Sequence, residues 1–398
     1  MRAAHRVAAA GIALGAVLSL AATTASSADA ESPDAGTVRV EAATDGDLEA
    51  AASARVAAMS VREKAASVVM GHIPTTDAAA LRDYMEETGI GGFILMGANI
   101  PDGEAAVRAV TAGLTVDPAF PPLIAVDQEG GDVSRLGGDA FASALALKGE
   151  PAAAAQQAFA GRGGLVQRAG IGVNFGIVAD QTDDPGSFIY RRALGTSPKA
   201  AAERVAAAVE GEAPESLSTL KHFPGHGAAP GDSHSGIPSS GMSKARWRAA
   251  DALPFEAGID AGAALLMFGH LAYTAVDPAP ASLSAEWHRI AREELGFGGV
   301  AVTDDLGMLQ GSGVAAYADP VANAVSALAA GNDLVLAVMF SNARTAPDIV
   351  DGIVAAVESG ELDPQRLDEA ATRVAVLRMG LAADGRGLMP CADCAPVD

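Results

Sequence analysis

Three of the seven histidines in this 398-residue chain, His222, His226 and His234, lie within thirteen residues of one another. The glycines and prolines between them predict a loop, which disfavours a helical His-x-x-x-His zinc pair. Histidines on a loop can exchange protons with a substrate or, together with Asp232, bind a metal ion. A glycine-rich turn whose histidines bond only to backbone is the third interpretation, and this loop alone leaves all three open.

Asp304 and Asp305 form an acidic pair at the end of the apolar run Val300–Val302. Adjacent residues of a strand point to opposite faces, so we expect only one of the two carboxylates to lie in a site. Asp305 suits the N-cap of a helix that begins near Leu306. This leaves Asp304 as the candidate for chemistry.

A second acidic cluster, with Asp127 and Glu129, follows the apolar run Leu123–Val126, and Arg135 lies eight residues after Asp127. Carboxylates at strand ends can hold sugar hydroxyls, whereas pairing with an arginine is the structural alternative for Glu129. Strand-end carboxylates and an Asp-x-His unit on a glycine-rich loop suggest acid/base and nucleophilic chemistry. Glycoside hydrolysis is the natural candidate reaction.

The elements that must position these residues are short apolar runs separated by alanine-rich helical segments. We predict seven strands, at Gly92–Met96, Leu123–Val126, Val173–Val178, Leu217–Lys221, Ala264–Met267, Val300–Val302 and Leu334–Val338. The helical segments include Ala200–Glu210, Pro320–Ala330 and Leu362–Leu381. Such alternation is typical of the α/β class, in which a doubly wound sheet and a (β/α)8 barrel both fit.

The units continue over roughly 300 residues without a break and polar residues follow most of the predicted strands, and both observations favour the barrel over the doubly wound sheet. Asp180 and His270 are further examples, and in a barrel all such positions meet at one mouth. A doubly wound sheet would concentrate them at two adjacent strands instead. We therefore predict a single (β/α)8 TIM-like barrel. The glycine-rich fingerprints of nucleotide-binding folds are absent from the sequence.

The first 30 residues have the pattern of a secretory signal peptide. Arg2 and Arg6 precede a sixteen-residue apolar stretch, and small residues follow up to Ala30. The stretch is shorter than the roughly 20 residues of a membrane-spanning helix. We expect an exported protein, on the extracellular, cell-wall side, with no stable membrane span after cleavage.

The rest of the chain divides into three predicted parts. Residues 31–58 are predicted to be a linker or N-terminal extension, because the composition from Glu31 to about Leu48 is polar and acidic, and a barrel domain over 59–381 starts with Ser60 and Glu63 in capping-box spacing. Residues 382–398 form a tail that carries both cysteines, Cys391 and Cys394. In an oxidising compartment we expect these two to form a local disulfide.

The charge of the chain narrows the classes of partner. The formal net charge is −22 and the isoelectric point is near 4.6. Such a surface repels phosphate backbones and anionic headgroups, so nucleic acid is an unlikely partner. With 49% hydrophobic residues the chain can bury a substantial core and is an ordinary globular protein.

The motifs together resemble glycoside hydrolase family 3, in its single-domain β-N-acetylglucosaminidase branch. The resemblance covers about Met59 to Leu381, and the motifs occur in the family's order. They are DQEGG with Arg135, NFGIVAD at 174–180, KHFPGHG at 221–227, DSH at 232–234, PASLS at 280–284 and VTDDLGM at 302–308. The pair of KHFPGHG and DSH is highly specific. The fold that this implies is a (β/α)8-like barrel.

The resemblance also implies roles for individual residues. Asp304 would be the nucleophile that forms a covalent glycosyl-enzyme intermediate, and His234 would be the general acid/base, oriented by Asp232. A carboxylate beside a histidine, whose ordinary pKa is about 6.5, can keep it protonated near neutral pH. The residues that match the family's positions for binding the terminal sugar are Asp127, Arg135, Arg192, Lys221 and His222.

The activity implied is retaining exo-hydrolysis of terminal β-linked N-acetylglucosamine by a monomer that needs no cofactor and no metal. Peptidoglycan fragments and chitooligosaccharides are the substrates considered. A β-glucosidase, a phosphorylase, an inactive glycan-binding protein and a metal-dependent hydrolase remain as alternatives. One departure stands out, because the family usually has arginine after DQEGG, where this chain has Asp132.

Overall fold

Eight parallel strands close into a barrel in the computed structural model, which describes residues 45–385. The strands are β1 Val69–Gly71, β2 Gly92–Leu95, β3 Leu123–Val126, β4 Val173–Val178, β5 Leu217–Phe223, β6 Leu265–Phe268, β7 Val300–Asp305 and β8 Leu334–Leu336. Each strand pairs with its neighbour in the chain, and β8 pairs with β1 to close the ring, with Val69 opposite Val335. The predicted single (β/α)8 barrel is confirmed.

Helices connect successive strands and surround the barrel. Over the described residues they are α1 Asp45–Ala57, α2 Val61–Ser67, α3 Ala78–Thr88, α4 Glu104–Leu114, α5 Ala144–Leu147, α6 Ala152–Arg168, α7 Pro198–Glu212, α8 Lys244–Ala249, α9 Ala252–Asp260, α10 Ala285–Arg289, α11 Leu306–Gly311, α12 Pro320–Ala330, α13 Thr345–Ser359 and α14 Pro364–Asp384. A π-helical turn, Ile290–Glu294, continues α10. A small two-stranded sheet pairs Ser239–Ser240 with Ala272–Tyr273.

The seven predicted strands all occur, with ends that shift by up to three residues, but the first strand of the barrel was missed. That strand, β1, is only three residues long. One residue separates β1 from the end of α2, whose last residues, Ala65–Ser67, are buried. The sequence therefore shows no change in hydrophobicity at the boundary between the helix and the strand. The predicted capping box of Ser60 and Glu63 is present at the start of α2.

The predicted linker over residues 31–58 is wrong in its second half. Residues 45–57 form α1, which buries Ala52 and Val56 and packs against α14. Only a few small side chains make this contact, so the segment lacks the apolar periodicity that would have indicated a helix. The signal peptide and the two cysteines lie outside the described residues. Within residues 45–385, no helix has the length and apolar character needed to cross a membrane.

Apolar side chains fill the inside of the barrel below its carboxyl-terminal mouth. Phe175, Leu265, Met267 and Leu334 are among the members of this cluster, and each is nearly or fully buried. A closed apolar interior makes the barrel a packed core rather than a pore. Any site at the mouth therefore has a floor.

One acidic side chain, Glu212 at the end of α7, is buried with little compensation. Its Oε1 accepts a hydrogen bond of 2.5 Å from Asn174 Nδ2, whereas Oε2 has no hydrogen-bond partner among the described residues. Burial raises the pKa of Glu212 to about 8, which the bond from Asn174 and the charge of Arg162 offset only in part. The folded protein therefore holds a proton here over a pH range in which an exposed glutamate is ionised.

We expect this proton to make stability fall as pH rises. Between the ordinary pKa of 4.5 and the folded-state pKa of about 8, the folded state binds more protons than the unfolded state, so rising pH favours unfolding. Each pKa unit corresponds to about 1.4 kcal/mol, so the full loss is a few kcal/mol. The free energy of unfolding, measured with urea, should fall by this amount more between pH 5 and pH 9 in the wild type than in Glu212→Gln. A difference between the two proteins that stays constant with pH would contradict the prediction.

Candidate active site

A cavity of about 180 Å³ opens at the carboxyl ends of the barrel strands. It brings together seven of the eight predicted site residues: Asp127, Arg135, Arg192, Lys221, His222, His234 and Asp304. The eighth, Asp232, contacts His234 directly. Ile94, Met267 and Leu336 close the cavity towards the barrel interior. Three larger cavities, of about 220, 230 and 330 Å³, lie elsewhere among the described residues and are not lined by histidine.

The two adjacent aspartates at the end of β7 take different roles. Asp305 caps α11 by accepting from the Gly307 N–H at 3.0 Å, and it also accepts from the backbone N–H groups of Val338 and Met339, at 2.8 Å each. Asp305 therefore has its predicted capping role and, in addition, ties the loop after β8 to β7. Both aspartates line the cavity, contrary to the expectation for one of them, but the Asp305 carboxylate is occupied by backbone N–H groups, which leaves Asp304 as the candidate for chemistry.

The carboxylate of Asp304 is held in its ionised form. Its Oδ1 accepts the backbone N–H of Asp305 at 2.8 Å. Burial alone would raise the pKa of Asp304, but nearby His222 and His270, the Asp305 N–H and Lys221 together lower it. An ionised carboxylate with one oxygen free of protein hydrogen bonds in the described chain is suited to attack an electrophilic carbon.

His270 holds the backbone beneath this carboxylate. Its Nε2 lies 2.8 Å from the carbonyl oxygen of Asp305 and its Nδ1 lies 2.7 Å from Ser282 Oγ. A carbonyl only accepts hydrogen bonds, so Nε2 carries the proton and Nδ1 accepts from the hydroxyl. Burial lowers the pKa of His270. His270 is thus a positioning residue at the strand end, with both ring nitrogens engaged by the protein, rather than a proton carrier.

One wall of the cavity is an ion-pair network built on Glu129. This carboxylate is 3% exposed and receives both Arg192 Nε at 2.8 Å and Arg192 Nη2 at 2.7 Å. Lys221 Nζ lies 2.7 Å from Glu129 and 2.8 Å from Asp127. Burial would raise the pKa of Glu129, but Lys221 and Arg192 outweigh it and lower the pKa to about 2. Glu129 stays charged and fixes the two cations that face the cavity.

Lys221 is likewise kept charged, although it is almost fully buried. Burial opposes its charge, and the carboxylates of Asp127 and Glu129 outweigh that effect and raise its pKa. The interpretation of Glu129 as an arginine-paired structural carboxylate is confirmed. Its contact with Lys221 was not predicted, because no rule of spacing links the end of β3 to the end of β5.

Arg135 reaches the same wall from the loop after β3. Gln128 Oε1 accepts the backbone N–H groups of Arg135 and Leu136 at 2.9 Å, which fixes this loop. Arg135 Nη2 lies 3.8 Å from Asp127 Oδ2, and Arg135 Nε has no hydrogen-bond partner among residues 45–385. The Arg135 side chain lines the cavity beside Asp127.

His222, next to Lys221 on β5, is oriented by a buried carboxylate from the end of β4. Its Nδ1 lies 2.7 Å from Asp180 Oδ2, and its Nε2 lies 3.5 Å from Arg192 Nη2. Burial would raise the pKa of Asp180, but the two neighbouring histidines lower it, so Asp180 accepts the Nδ1 proton. An arginine only donates, so Nε2 of His222 is an acceptor on the cavity side.

Buried side chains connect the loop that carries Asp232 and His234 to the strands of the barrel. Ser233 is buried, and its Oγ lies 3.2 Å from His226 Nε2, while the His226 N–H bonds to Asp180 at 2.5 Å. Phe188, on the loop after β4, packs its ring edge-to-face against His226 and His234, with centroids 4.8 and 6.2 Å away. Phe188 has no sequence signal that could have singled it out.

His234 itself is half-exposed at the cavity mouth and is oriented by its neighbour. Its Nδ1 lies 2.6 Å from Asp232 Oδ1, which also accepts the His234 backbone N–H at 3.0 Å. Burial opposes the charge of Asp232, but the hydrogen bonds from His234 and the nearby histidines together outweigh it and lower the pKa of Asp232. The ionised Asp232 accepts the Nδ1 proton, so Nε2 is the nitrogen that can exchange a proton with a ligand.

Comparison with known proteins decides the family. Residues 60–377 match the model of the glycosyl hydrolase family 3 N terminal domain. A β-hexosaminidase of Stenotrophomonas maltophilia strain R551-3 is 32% identical over 331 residues, covering 80% of this chain and 95% of the relative. The chain belongs to glycosyl hydrolase family 3. It is a glycoside hydrolase.

Solved structures of similar proteins share the fold. A β-N-acetylhexosaminidase of Beutenbergia cavernae is 29% identical, with a TM-score of 0.70 over 82% of this chain and 99% of that one. A family 3 β-N-acetylglucosaminidase of Paenibacillus sp. is 31% identical, with a TM-score of 0.76 over 81% of this chain. The match spans 63% of the Paenibacillus chain.

The departure from the family pattern at Asp132 leaves the wall of the cavity intact. Asp132 accepts from Arg191 Nε at 2.6 Å and from Arg191 Nη2 at 3.0 Å. Both partners are largely exposed, so the pair contributes little to stability. Glu129 pairs with Arg192, the residue that follows Arg191 in the chain.

The histidine loop does not assemble the alternative metal site in this family 3 barrel. His222 bonds to Asp180, His226 to Ser233 and His234 to Asp232, each in a separate pair. Over residues 45–385 no group of three or more histidine, cysteine, aspartate or glutamate side chains has an arrangement that could hold a metal ion. That the reaction needs no metal stays a prediction. Measurement of activity in the presence of a chelator tests it.

Proposed function

We propose that this chain is a retaining exo-β-N-acetylglucosaminidase that removes terminal N-acetylglucosamine through a covalent intermediate on Asp304. The observation that carries the proposal is the cavity that Asp304 and His234 line together. The Stenotrophomonas relative is a β-hexosaminidase and the Paenibacillus relative is a β-N-acetylglucosaminidase. Both names support the same class of substrate for this chain.

The closed floor of the cavity supports action at a chain end. A glycan can enter only from the mouth, so one terminal sugar occupies the space of about 180 Å³ and the remainder extends outward. Asp127, Arg135, Arg192, Lys221 and His222 would bind its hydroxyls. Ion pairing fixes three of these groups before the sugar arrives, so binding does not have to order them.

The reaction would proceed in two displacements. In the first, Asp304 attacks the anomeric carbon and forms an ester, while protonated His234 gives its Nε2 proton to the glycosidic oxygen and the bond to the leaving group breaks. In the second, neutral His234 takes a proton from water, whose oxygen attacks the anomeric carbon and releases Asp304. Two inversions give net retention.

The proposal is tested by hydrolysis of chromogenic β-N-acetylglucosaminide and β-glucoside by the purified chain, with chelator and with phosphate in separate arms. We expect turnover that strongly favours the acetamido sugar, persists in chelator and yields free sugar. Preference for the glucoside would overturn the substrate class. Loss in chelator would indicate a metal-dependent hydrolase, and a sugar phosphate product would indicate a phosphorylase. Binding without turnover would indicate a glycan-binding protein.

We further propose that the protein is exported and acts on the cell-wall side as a monomer. The charged and apolar pattern of residues 1–30 supports export. Peptidoglycan fragments and chitooligosaccharides then become accessible substrates. Recovery of the protein from the medium with an amino terminus near residue 31, and a monomer mass in solution, would support this part of the proposal.

A further inference from the structure

Phe340, on the loop after β8, is the large hydrophobic side chain most open to solvent in the described chain. It is 67% exposed, whereas the next, Val314, is 41% exposed. Single exposed apolar residues are common at protein surfaces, so exposure by itself indicates no function. The backbone and the position of Phe340 add two independent observations.

The backbone of Phe340 lies in the left-handed region, with φ of 61°, and no other non-glycine residue over 45–385 has a positive φ. For a bulky residue this conformation is strained. Such strain persists only where the surroundings impose it, and it clusters at ligand clamps and active sites. Here the N–H groups of Val338 and Met339 bond to Asp305, and the Ser341 N–H bonds to Val338, so the loop is fixed on both sides of Phe340.

The ring of Phe340 stands next to the loop that carries His234. A Cβ atom added to Gly311, the last residue of α11, would lie 3.6 Å from Phe340 Cε2 and 3.8 Å from the carbonyl oxygen of His234. The two residues that precede Phe340, Val338 and Met339, line the cavity. The strained, exposed ring is therefore at the rim of the cavity, on the side of the acid/base histidine.

This position matters for the group that leaves. His234 has to face the glycosidic oxygen, so the leaving group extends from the cavity past His234 into the space at the rim. A pyranose ring presents a face of C–H groups that stacks on an aromatic ring, as apolar and aromatic groups do generally. A phenyl ring that is already exposed and held in place can stack on such a face with little further loss of conformational entropy.

We propose that Phe340 forms the binding subsite for the second sugar of the substrate, by stacking on the apolar face of its pyranose ring. The inference rests on the proposed function and adds the leaving-group side of the site to it. The ligand it names is a carbohydrate leaving group, in contrast to a small alcohol. It makes Phe340 a specificity residue without a part in bond breaking.

The test compares N,N′-diacetylchitobiose, which has a second sugar, with the methyl β-glycoside of N-acetylglucosamine, which lacks one. The measured quantity is the ratio of kcat/KM for the disaccharide to kcat/KM for the methyl glycoside, from chromatographic assay of released sugar. We expect this ratio to fall about five- to tenfold in Phe340→Gly, the effect of one aromatic stacking contact. Glycine accepts the positive φ, so the loop keeps its conformation.

Two matched variants separate stacking from apolar contact. Phe340→Leu keeps an apolar side chain and the same backbone strain but has no flat face, so its ratio should fall like that of Phe340→Gly. Phe340→Tyr keeps the face and should stay within twofold of the wild type. An unchanged ratio in Phe340→Gly, a wild-type ratio in Phe340→Leu, or equal losses on both substrates would overturn the subsite.

Failure of the proposed function is distinguishable from failure of this subsite. If the wild-type protein released N-acetylglucosamine from neither substrate, the proposed function would fail and the subsite with it. If the wild type acted on both and the ratio did not respond to position 340, the function would stand and the subsite alone would fall.

Discussion

Replacing Asp304 by alanine is expected to reduce turnover of a chromogenic N-acetylglucosaminide by at least about three orders of magnitude. Asp304 lines the cavity, and its neighbours hold it in its ionised form. This variant lacks the proposed nucleophile, and removal of a nucleophile typically costs most of the catalysed rate. Stopped and continuous assays of kcat, with unfolding temperature as a check on the fold, measure the effect.

A second readout identifies the face from which Asp304 attacks. In Asp304→Ala the space beneath the anomeric carbon is vacant, so azide can attack from that side and expel the leaving group, giving the α-glycosyl azide. Wild type acting through two displacements would not form this product from the β-glycoside. Residual activity above about 1% of the wild type without azide would contradict a nucleophilic role. A β-configured azide product from this variant would contradict the proposed face of attack.

Replacing His234 by alanine is expected to cost about 10²- to 10⁴-fold, with the larger losses on the poorer leaving groups. His234 is fixed through Nδ1 by Asp232, so Nε2 is the nitrogen that gives and takes the proton. A nitrophenolate leaves readily without a proton, whereas a sugar leaving group needs one. The ratio of the losses in kcat/KM on N,N′-diacetylchitobiose and on the nitrophenyl substrate measures this difference.

Two controls accompany the histidine variant. Azide should speed release of the covalent intermediate in His234→Ala and give the β-glycosyl azide, because azide needs no general base. Asp232→Asn keeps the imidazole but no longer fixes its tautomer, so its loss should be smaller than that of His234→Ala. Equal losses on both leaving groups, or no response to azide, would show that His234 is not the acid/base.

Local rules predicted much of the chain, and particular elements show why. The boundaries of α12 follow from Asp319 as N-cap, proline at the first position and glycine at the end. Asp305 was predicted to cap α11 because a cap depends only on residues two or three positions away. The strand β1 was missed because three apolar residues beside a buried helix end carry no change of period.

Contacts between distant residues escaped these rules. Arg192 reaches Glu129 from 63 residues away, and Lys221 reaches Asp127 from 94 residues away. No periodicity constrains such distances, because they depend on how successive units pack around the barrel. The contact of Phe188 with the His234 loop is of the same kind.

The sequence by itself determined the class of fold, the family resemblance and which residue types meet at the barrel mouth. These follow from hydrophobic period, caps and strand ends, which act over a few residues and leave a pattern in the chain. Only the tertiary structure decided that Glu129 binds two cations at once, which ring nitrogen of His234 stays free, and where the ring of Phe340 points. These depend on the closure of eight strands, which sets distances between side chains that are far apart in the chain.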